Sequence, residues 1–273
     1  MTIKIDKVYI ISLDKSSENI KHLIRKVKEV GLPNKASVEI VGINGWELSD
    51  NDLAEMNIKI LEGWNLNKQD HGNLNYYHNR DITKGEIGCS LSHIKIWEDA
   101  YKNNYENIII YEEDFKKNSK TNIDWNELDN TEFDLLYLGR SLQYGREFVW
   151  DEYYSETFCY PGMSYQSHAY ILSRNGLDKI VNFFLPRFKS GIFPLDDFLA
   201  SCYTGVYHDA VEKRFPECDK ILNALAYNKE RVYQNKTKPS LTEPLNCNIE
   251  KEMEEFHNEC NNLRIKLDKI YEK

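Results

Sequence analysis

Asn107-Ile108-Ile109-Ile110-Tyr111-Glu112-Glu113-Asp114-Phe115 runs an apolar strand straight into three carboxylates. Its β-branched and aromatic residues are continuous, which suits a strand buried on both faces of a mostly parallel sheet. Glu112, Glu113 and Asp114 then fall at the strand's carboxyl end, where open α/β sheets place ligands. Adjacent carboxylates repel one another, and a shared hard divalent cation such as Mg²⁺ or Mn²⁺, which also bridges to phosphates, relieves that repulsion. A solvated acidic turn is the alternative that this stretch leaves open by itself.

Upstream, Lys7–Leu13 reads as a first strand. A helix follows through Ile20, Leu23, Ile24, Val27 and Val30, with Ser16 or Ser17 as N-cap and Gly31 and Pro33 as stop signals. A second strand, Val38–Val41, leads into Gly42-Ile43-Asn44-Gly45, whose glycines permit close backbone approach. Strand, helix and strand on short links open a nucleotide-binding α/β unit. From Asp50 to Tyr77 the chain is polar and aromatic without a sustained period, carrying Trp64, Asp70, His71, Tyr76 and Tyr77, and is expected to be a binding loop or lid, with a plain surface excursion as the alternative. Thr83 and Glu86 form a capping box, and Ile87, Leu91, Ile94 and Trp97 make a core-facing stripe on the helix that follows. Ser92 and His93 lie on that helix.

Downstream, Phe133–Leu138 is expected to be a strand ending at Gly139-Arg140, an arginine placed to meet a phosphate or a carboxylate. The tyrosine-rich run from Tyr144 to Tyr165 offers rings for stacking on sugars or for covering the sheet. Ser167–Leu172 is strand-like and Arg174–Phe184 helical. Pro194-Leu195-Asp196-Asp197-Phe198-Leu199 starts a helix with two acids in its first turn, either to suit the helix dipole or to supply a base and its neighbour. His208 is a further candidate for a metal shell. From Ile249, a heptad seam through Met253, Phe256, Cys260, Leu263, Leu267 and Ile270 marks an amphipathic C-terminal helix, expected to serve dimerisation or docking, with packing on its own domain as the alternative. The expected division is therefore 1–245 for the α/β domain and 246–273 for the helix.

Composition sets the outer bounds. The net charge is -9, from 35 basic and 44 acidic residues, and no basic stripe is present, so nucleic acid is not an expected partner. No run approaches the ~18 apolar residues of a membrane span. The N-terminal apolar run is broken by Lys4, Asp6 and Lys7, unlike a signal peptide. Cys89, Cys159, Cys202, Cys218, Cys247 and Cys260 are scattered without C-x-x-C pairs or metal-ligand spacing, as free thiols in a reducing compartment are, and a cytoplasmic location is expected.

Residues 84–93, Lys84-Gly85-Glu86-Ile87-Gly88-Cys89-Ser90-Leu91-Ser92-His93, followed by Trp97, resemble the G-E-I-G-C-x-x-S-H signature of the family-25 glycosyltransferases. Tyr111-Glu112-Glu113-Asp114 is similar to that family's E-D-D metal motif, with Glu113 where Asp is usual. Pro194–Leu199 looks like its P-x-D-[DE]-F-L element. Tyr137-Leu138-Gly139-Arg140 and the run from Ser164 to Ile180 lean toward the collagen-modifying branch. The first strand departs from the family pattern, reading Ile11-Ser12-Leu13-Asp14-Lys15 where arginines usually follow, and Asn44 stands where the family often has Asp.

The resemblance implies a GT-A-like fold: an α/β, Rossmann-type mixed sheet flanked by helices. It further implies a UDP-sugar donor carrying galactose or glucose, an Mn²⁺ or Mg²⁺ ion held by Glu112, Glu113 and Asp114 with His208 as an addition, and inversion at the anomeric carbon. The base is Asp196 or Asp197, and Glu86 and His93 join the catalytic set. Donor contacts are expected from Ser12, Leu13, Asp14, Asn44, Gly45, Lys84, Ser92, Glu113 and Arg140. The acceptor is a protein hydroxyl such as hydroxylysine, or a lipopolysaccharide or other surface glycan. The reading of another class is a catalytically inactive glycan-binding or scaffold protein.

Overall fold

The computed structural model describes residues 3–61, 82–142, 151–205 and 220–235. Two compact units divide the chain, Met1–Lys238 and Pro239–Lys273. The described residues all fall in the first unit. The C-terminal heptad seam, His208, the aromatic and acidic residues of the insertion from Trp64 to Tyr77, and residues 143–150 of the tyrosine-rich run lie outside them.

The fold opens with β1 (Lys7–Ile11), α1 (Ser17–Val30) and β2 (Ser37–Val41). Ser16 caps α1 by accepting from the Asn19 N–H at 3.3 Å, and Gly31 ends it in the left-handed region at φ 85°. A 3₁₀ turn at Gly45–Glu47 and the short α2 (Asp50–Glu55) follow, then α3 (Lys84–Lys102), β3 (Asn107–Glu112), β4 (Phe115–Lys117) and α4 (Trp125–Asp129). The second half comprises β5 (Leu135–Leu142), β6 (Glu152–Tyr153), β7 (Phe158–Tyr160), β8 (Ser164–Ser173), α5 (Arg174–Lys179), α6 (Leu185–Lys189), α7 (Leu195–Thr204), β9 (Ala224–Tyr227) and β10 (Val232–Gln234). A π turn at Ile180–Phe184 joins α5 to α6.

Among the described residues, eight strands form one sheet in the order β2-β1-β3-β8-β5-β9-β7-β6. The sheet is mixed rather than mostly parallel: β3 pairs parallel with β1 but antiparallel with β8, which also runs antiparallel to β5. The continuous apolar run of β3 is explained all the same, because helices cover both faces of the sheet. Ile108 and Ile110 join Tyr170, Leu172 and Trp97 on the side of α3 and α7, while Ile109 and Tyr111 join Val8, Leu23 and Val27 on the side of α1. All three isoleucines are fully buried, each worth about 1.5–3 kcal/mol of apolar burial.

Several boundaries differ from the sequence expectation: β1 ends at Ile11 rather than Leu13, β8 begins at Ser164 rather than Ser167, and Asp50–Glu55, expected to lack a sustained period, is helical. β5 continues through Gly139-Arg140 to Leu142 instead of ending there, because β8 is long enough to pair with it as far as Ser164, across register shifts between Tyr137 and Ser141. The helical stretch expected to stop at Phe184 continues through the π turn into α6, with Pro186 in the first turn of α6.

Candidate active site

The site forms where β1 and β3 end and β8 begins. Glu113 is turned to the end of β1: Ser12 Oγ donates to its Oε2 at 2.5 Å, its N–H donates to Ile11 O at 2.9 Å, and Lys26 Nζ donates to its carbonyl at 2.6 Å. Glu112 takes a different set of partners, accepting from Ser167 Oγ at 2.9 Å and lying 3.5 Å from His93 Nε2. Burial pushes the Glu112 carboxyl above its ordinary range, opposed by the Ser167 bond. Asp114 is pushed up to about 6, first by burial and then by the charge of Glu112. Gln234 hydrogen-bonds the Asp114 carboxyl, yet its buried Oδ1 has no hydrogen-bond partner.

Asp196 enters the same field from α7. Its Oδ2 accepts from the Gln166 N–H at 2.8 Å and its Oδ1 from the Ser167 N–H at 2.9 Å. Both donors lie on an irregular part of β8 where Gln166 has φ 66°, a left-handed conformation that a residue with a side chain rarely adopts. That kink interrupts the ladder with β5 and turns two successive N–H groups onto one carboxylate. Burial raises the Asp196 proton affinity, Glu112 raises it further, and the two N–H bonds hold it back. Asp197 is buried at 5% exposure on the same helical turn.

α3 is placed by its own N-terminus. The Thr83 Oγ1 accepts from the Glu86 N–H at 3.2 Å, and Glu86 Oε2 accepts from the Thr83 N–H at 2.8 Å, so the capping box is formed and Glu86 takes part in it. The helix packs so closely on the turn after β2 that a Cβ at Gly45 would lie 1.8 Å from Lys84 O, and one at Gly88 2.6 Å from Gly45 N and Ile43 O. Ser92 Oγ locks the contact, donating to Gly88 O at 2.7 Å and accepting from the Ile43 N–H at 2.9 Å. Asn44 caps the 3₁₀ turn, with its side chain bonded to the Trp46 N–H and to Glu47. Lys84 and Asp14 are exposed, as is Leu13 at 39%.

His93 is fully buried, stacked on Tyr170 at 5.6 Å between ring centroids, with Nδ1 2.6 Å from the Tyr170 hydroxyl. Burial holds its imidazole neutral, with the pKa down to about 3. Arg140 is engaged elsewhere: it donates to Asp151 Oδ2 at 2.5 Å and to Ser164 Oγ at 2.8 Å. The structure thus brings together Glu112, Asp114, Asp196, Ser167 and His93, sets Glu113 with Ser12 beside them, and places Arg140 in a separate ion pair, its buried guanidinium meeting the exposed Asp151. Ser167 and Gln166 escaped the sequence reading because their contacts reach 55 and 30 residues away. Cys89 was also missed, although it lies one helical turn from His93, and a C-x-x-x-H spacing on a helix puts both side chains on one face.

Residues 5–199 match the family model described as glycosyltransferase family 25 (LPS biosynthesis protein). A glycosyltransferase 25 family member of Aedes aegypti is 29% identical over 202 residues, covering 71% of this chain and 30% of that protein. Procollagen galactosyltransferase 1-B of Xenopus laevis is 28% identical over 204 residues, 72% of this chain and 31% of its own. A human protein named inactive glycosyltransferase 25 family member 3 is 27% identical over 200 residues, 71% of this chain and 31% of its own. The chain spans about a third of the length of the curated relatives it matches.

Proposed function

The chain belongs to glycosyltransferase family 25, and from that premise we propose that it is a metal-dependent inverting glycosyltransferase that moves galactose or glucose from a UDP-sugar to an acceptor hydroxyl. The observation that carries this reading is the Asp114 carboxyl, whose buried Oδ1 lacks any donor beside a second half-buried carboxylate. An arrangement of this kind costs free energy that a hard cation removes. Glu112 and Asp114, with Glu113 adjoining, are the groups that fit Mn²⁺ or Mg²⁺. Such an ion, when bound, neutralises the charge that builds on a diphosphate leaving group.

The chain's own residues supply the rest. Asp196 or Asp197 takes the proton of the acceptor hydroxyl, and a carboxyl whose proton affinity is raised by burial is better matched to that task than a solvated one. The two backbone N–H groups on Asp196 fix its orientation. Ser12 steadies Glu113, and Ser92 holds α3 against the turn at Gly45. The acceptor we favour is a protein hydroxyl of the hydroxylysine type, on the likeness to the procollagen galactosyltransferase and on Tyr137-Leu138-Gly139-Arg140; a surface glycan is the alternative.

An acidic site repels a diphosphate unless a cation is present. UDP therefore binds measurably in Mn²⁺ or Mg²⁺ and loses most of that affinity in excess chelator; equal affinity by calorimetry in both conditions sinks the metal dependence. A donor screen for UDP release tests the activity itself. Release in Mn²⁺ that rises with a hydroxylysine peptide supports the reading, and release that rises only with a saccharide moves the acceptor to a glycan. The relative named as inactive and the Glu113 replacement favour a second reading, a glycan-binding scaffold without turnover. Glycan binding without UDP binding is the result that establishes it.

A further inference from the structure

Behind the carboxylates, one turn of α3 and the end of β3 bring a thiol, an imidazole and a carboxylate together. Cys89 Sγ lies 4.0 Å from Glu112 Oε1, His93 Nε2 lies 3.5 Å from the same oxygen, and the three ligand atoms are all within 4.8 Å of one another. Those separations suit ligands around a single ion with bonds of about 2.0–2.3 Å. His93 is the second, independent observation: it is fully buried and its Nε2 faces this cluster without a hydrogen-bond partner. Its other nitrogen is already fixed by the Tyr170 hydroxyl at 2.6 Å, which in turn accepts from Trp97 Nε1 at 3.2 Å. A metal-bound histidine shows the same pattern, one nitrogen held by an outer partner and the other aimed at the ion.

We propose that Cys89, His93 and Glu112 form a binding site for a borderline-soft divalent ion of the Zn²⁺ type, distinct in chemistry from the hard-cation set at Glu112 and Asp114. Thiolate and imidazole select zinc over magnesium or manganese, whose preferred ligands are oxygens. One thiolate and one carboxylate balance the ion's two charges, so the buried site as a whole is neutral, which removes the main cost of placing an ion there. The thiol proton leaves to solvent as the ion binds. Three protein ligands leave a fourth position for water. Glu112 is then the one residue common to both sites, its Oε1 facing the thiol and the imidazole.

The test uses the full chain, stripped with chelator and then titrated with Co²⁺ in the absence of any nucleotide. One equivalent is expected to bring up a thiolate-to-cobalt charge-transfer band in the near ultraviolet, and Zn²⁺ is expected to bleach it. Cys89→Ser loses the band and His93→Gln, which removes a ligand, weakens Zn²⁺ binding by more than the roughly 10–100-fold that loss of a ligand's outer partner costs, whereas Asp114→Asn keeps the band while losing Mn²⁺-dependent UDP binding, so the two sites fail separately. X-ray absorption at the zinc edge of the unmodified chain, expected to show one sulfur and otherwise nitrogen and oxygen neighbours, serves if either variant does not fold. No charge-transfer band, a band that survives Cys89→Ser, or a zinc shell with no sulfur or with several overturns the proposal.

Discussion

Asp114→Ala is expected to lower sugar transfer by about 10²–10³-fold, the loss typical when an electrostatic element of a transition state is removed, while circular dichroism and thermal melting show an intact fold. The fold survives because the side chain contributes no net stability at neutral pH. Its carboxyl is pushed up to about 6 from an ordinary 3.8 by burial and by Glu112. The folded chain therefore keeps a proton that the unfolded chain gives up, and the stability so gained is present below the unfolded value and lost as pH rises from about 4 to about 6. Metal-free protein should lose about 1–3 kcal/mol over that window relative to Asp114→Ala, and added Mn²⁺ should restore it. Full turnover in the variant takes Asp114 out of the metal site. Parallel stability curves for the two proteins remove the argument from burial.

Gly88→Ala is expected to destabilise by about 3 kcal/mol, at the upper end for overpacking a close contact. A methyl at this position meets the backbone N of Gly45 and the backbone O of Ile43, each at 2.6 Å, and backbone atoms have no rotamer into which to retreat. The helix must then move away from the turn after β2, carrying Ser92 and His93 with it. Urea unfolding should show a lower midpoint at unchanged slope, and the residual folded protein should bind UDP more weakly. A midpoint equal to that of the unaltered chain would show that α3 and the turn do not approach as described.

The readable parts of the fold are those written in short-range pattern. The run through Ile108–Ile110 announces a strand covered on both sides, and the Thr83–Glu86 box with its stripe through Ile87, Leu91, Ile94 and Trp97 announces α3; both are local and both are present. The antiparallel placement of β8 against β3 was not readable, because the run in β3 looks the same beside either kind of neighbour. In the site, the carboxylates after β3 are visible as residues, but their grouping is not. Ser12 draws Glu113 to β1, Ser167 takes Glu112, and Asp196 arrives from α7 to meet a kink at Gln166 that no residue type at that position announces. Arg140 is expected from the sequence to meet a phosphate or a carboxylate; the carboxylate it meets is that of Asp151, which lies past the end of the strand and carries no motif that names it as the partner.

The kink at Gln166 separates two acids of one centre by what their loss does to the chain. Asp196 satisfies two backbone N–H groups that the kink has taken out of the ladder, so a chain that drops this carboxylate loses part of the join between β8 and α7 along with any chemistry. Asp114 carries no such duty, and its loss relieves a buried charge. A lineage drifting toward an inactive protein therefore has an easy first step at position 114 and a hard one at position 196. Silent descendants of this architecture should keep the second aspartate long after discarding the first, and its presence in a sequence is a sign of a surviving fold before it is a sign of a surviving enzyme.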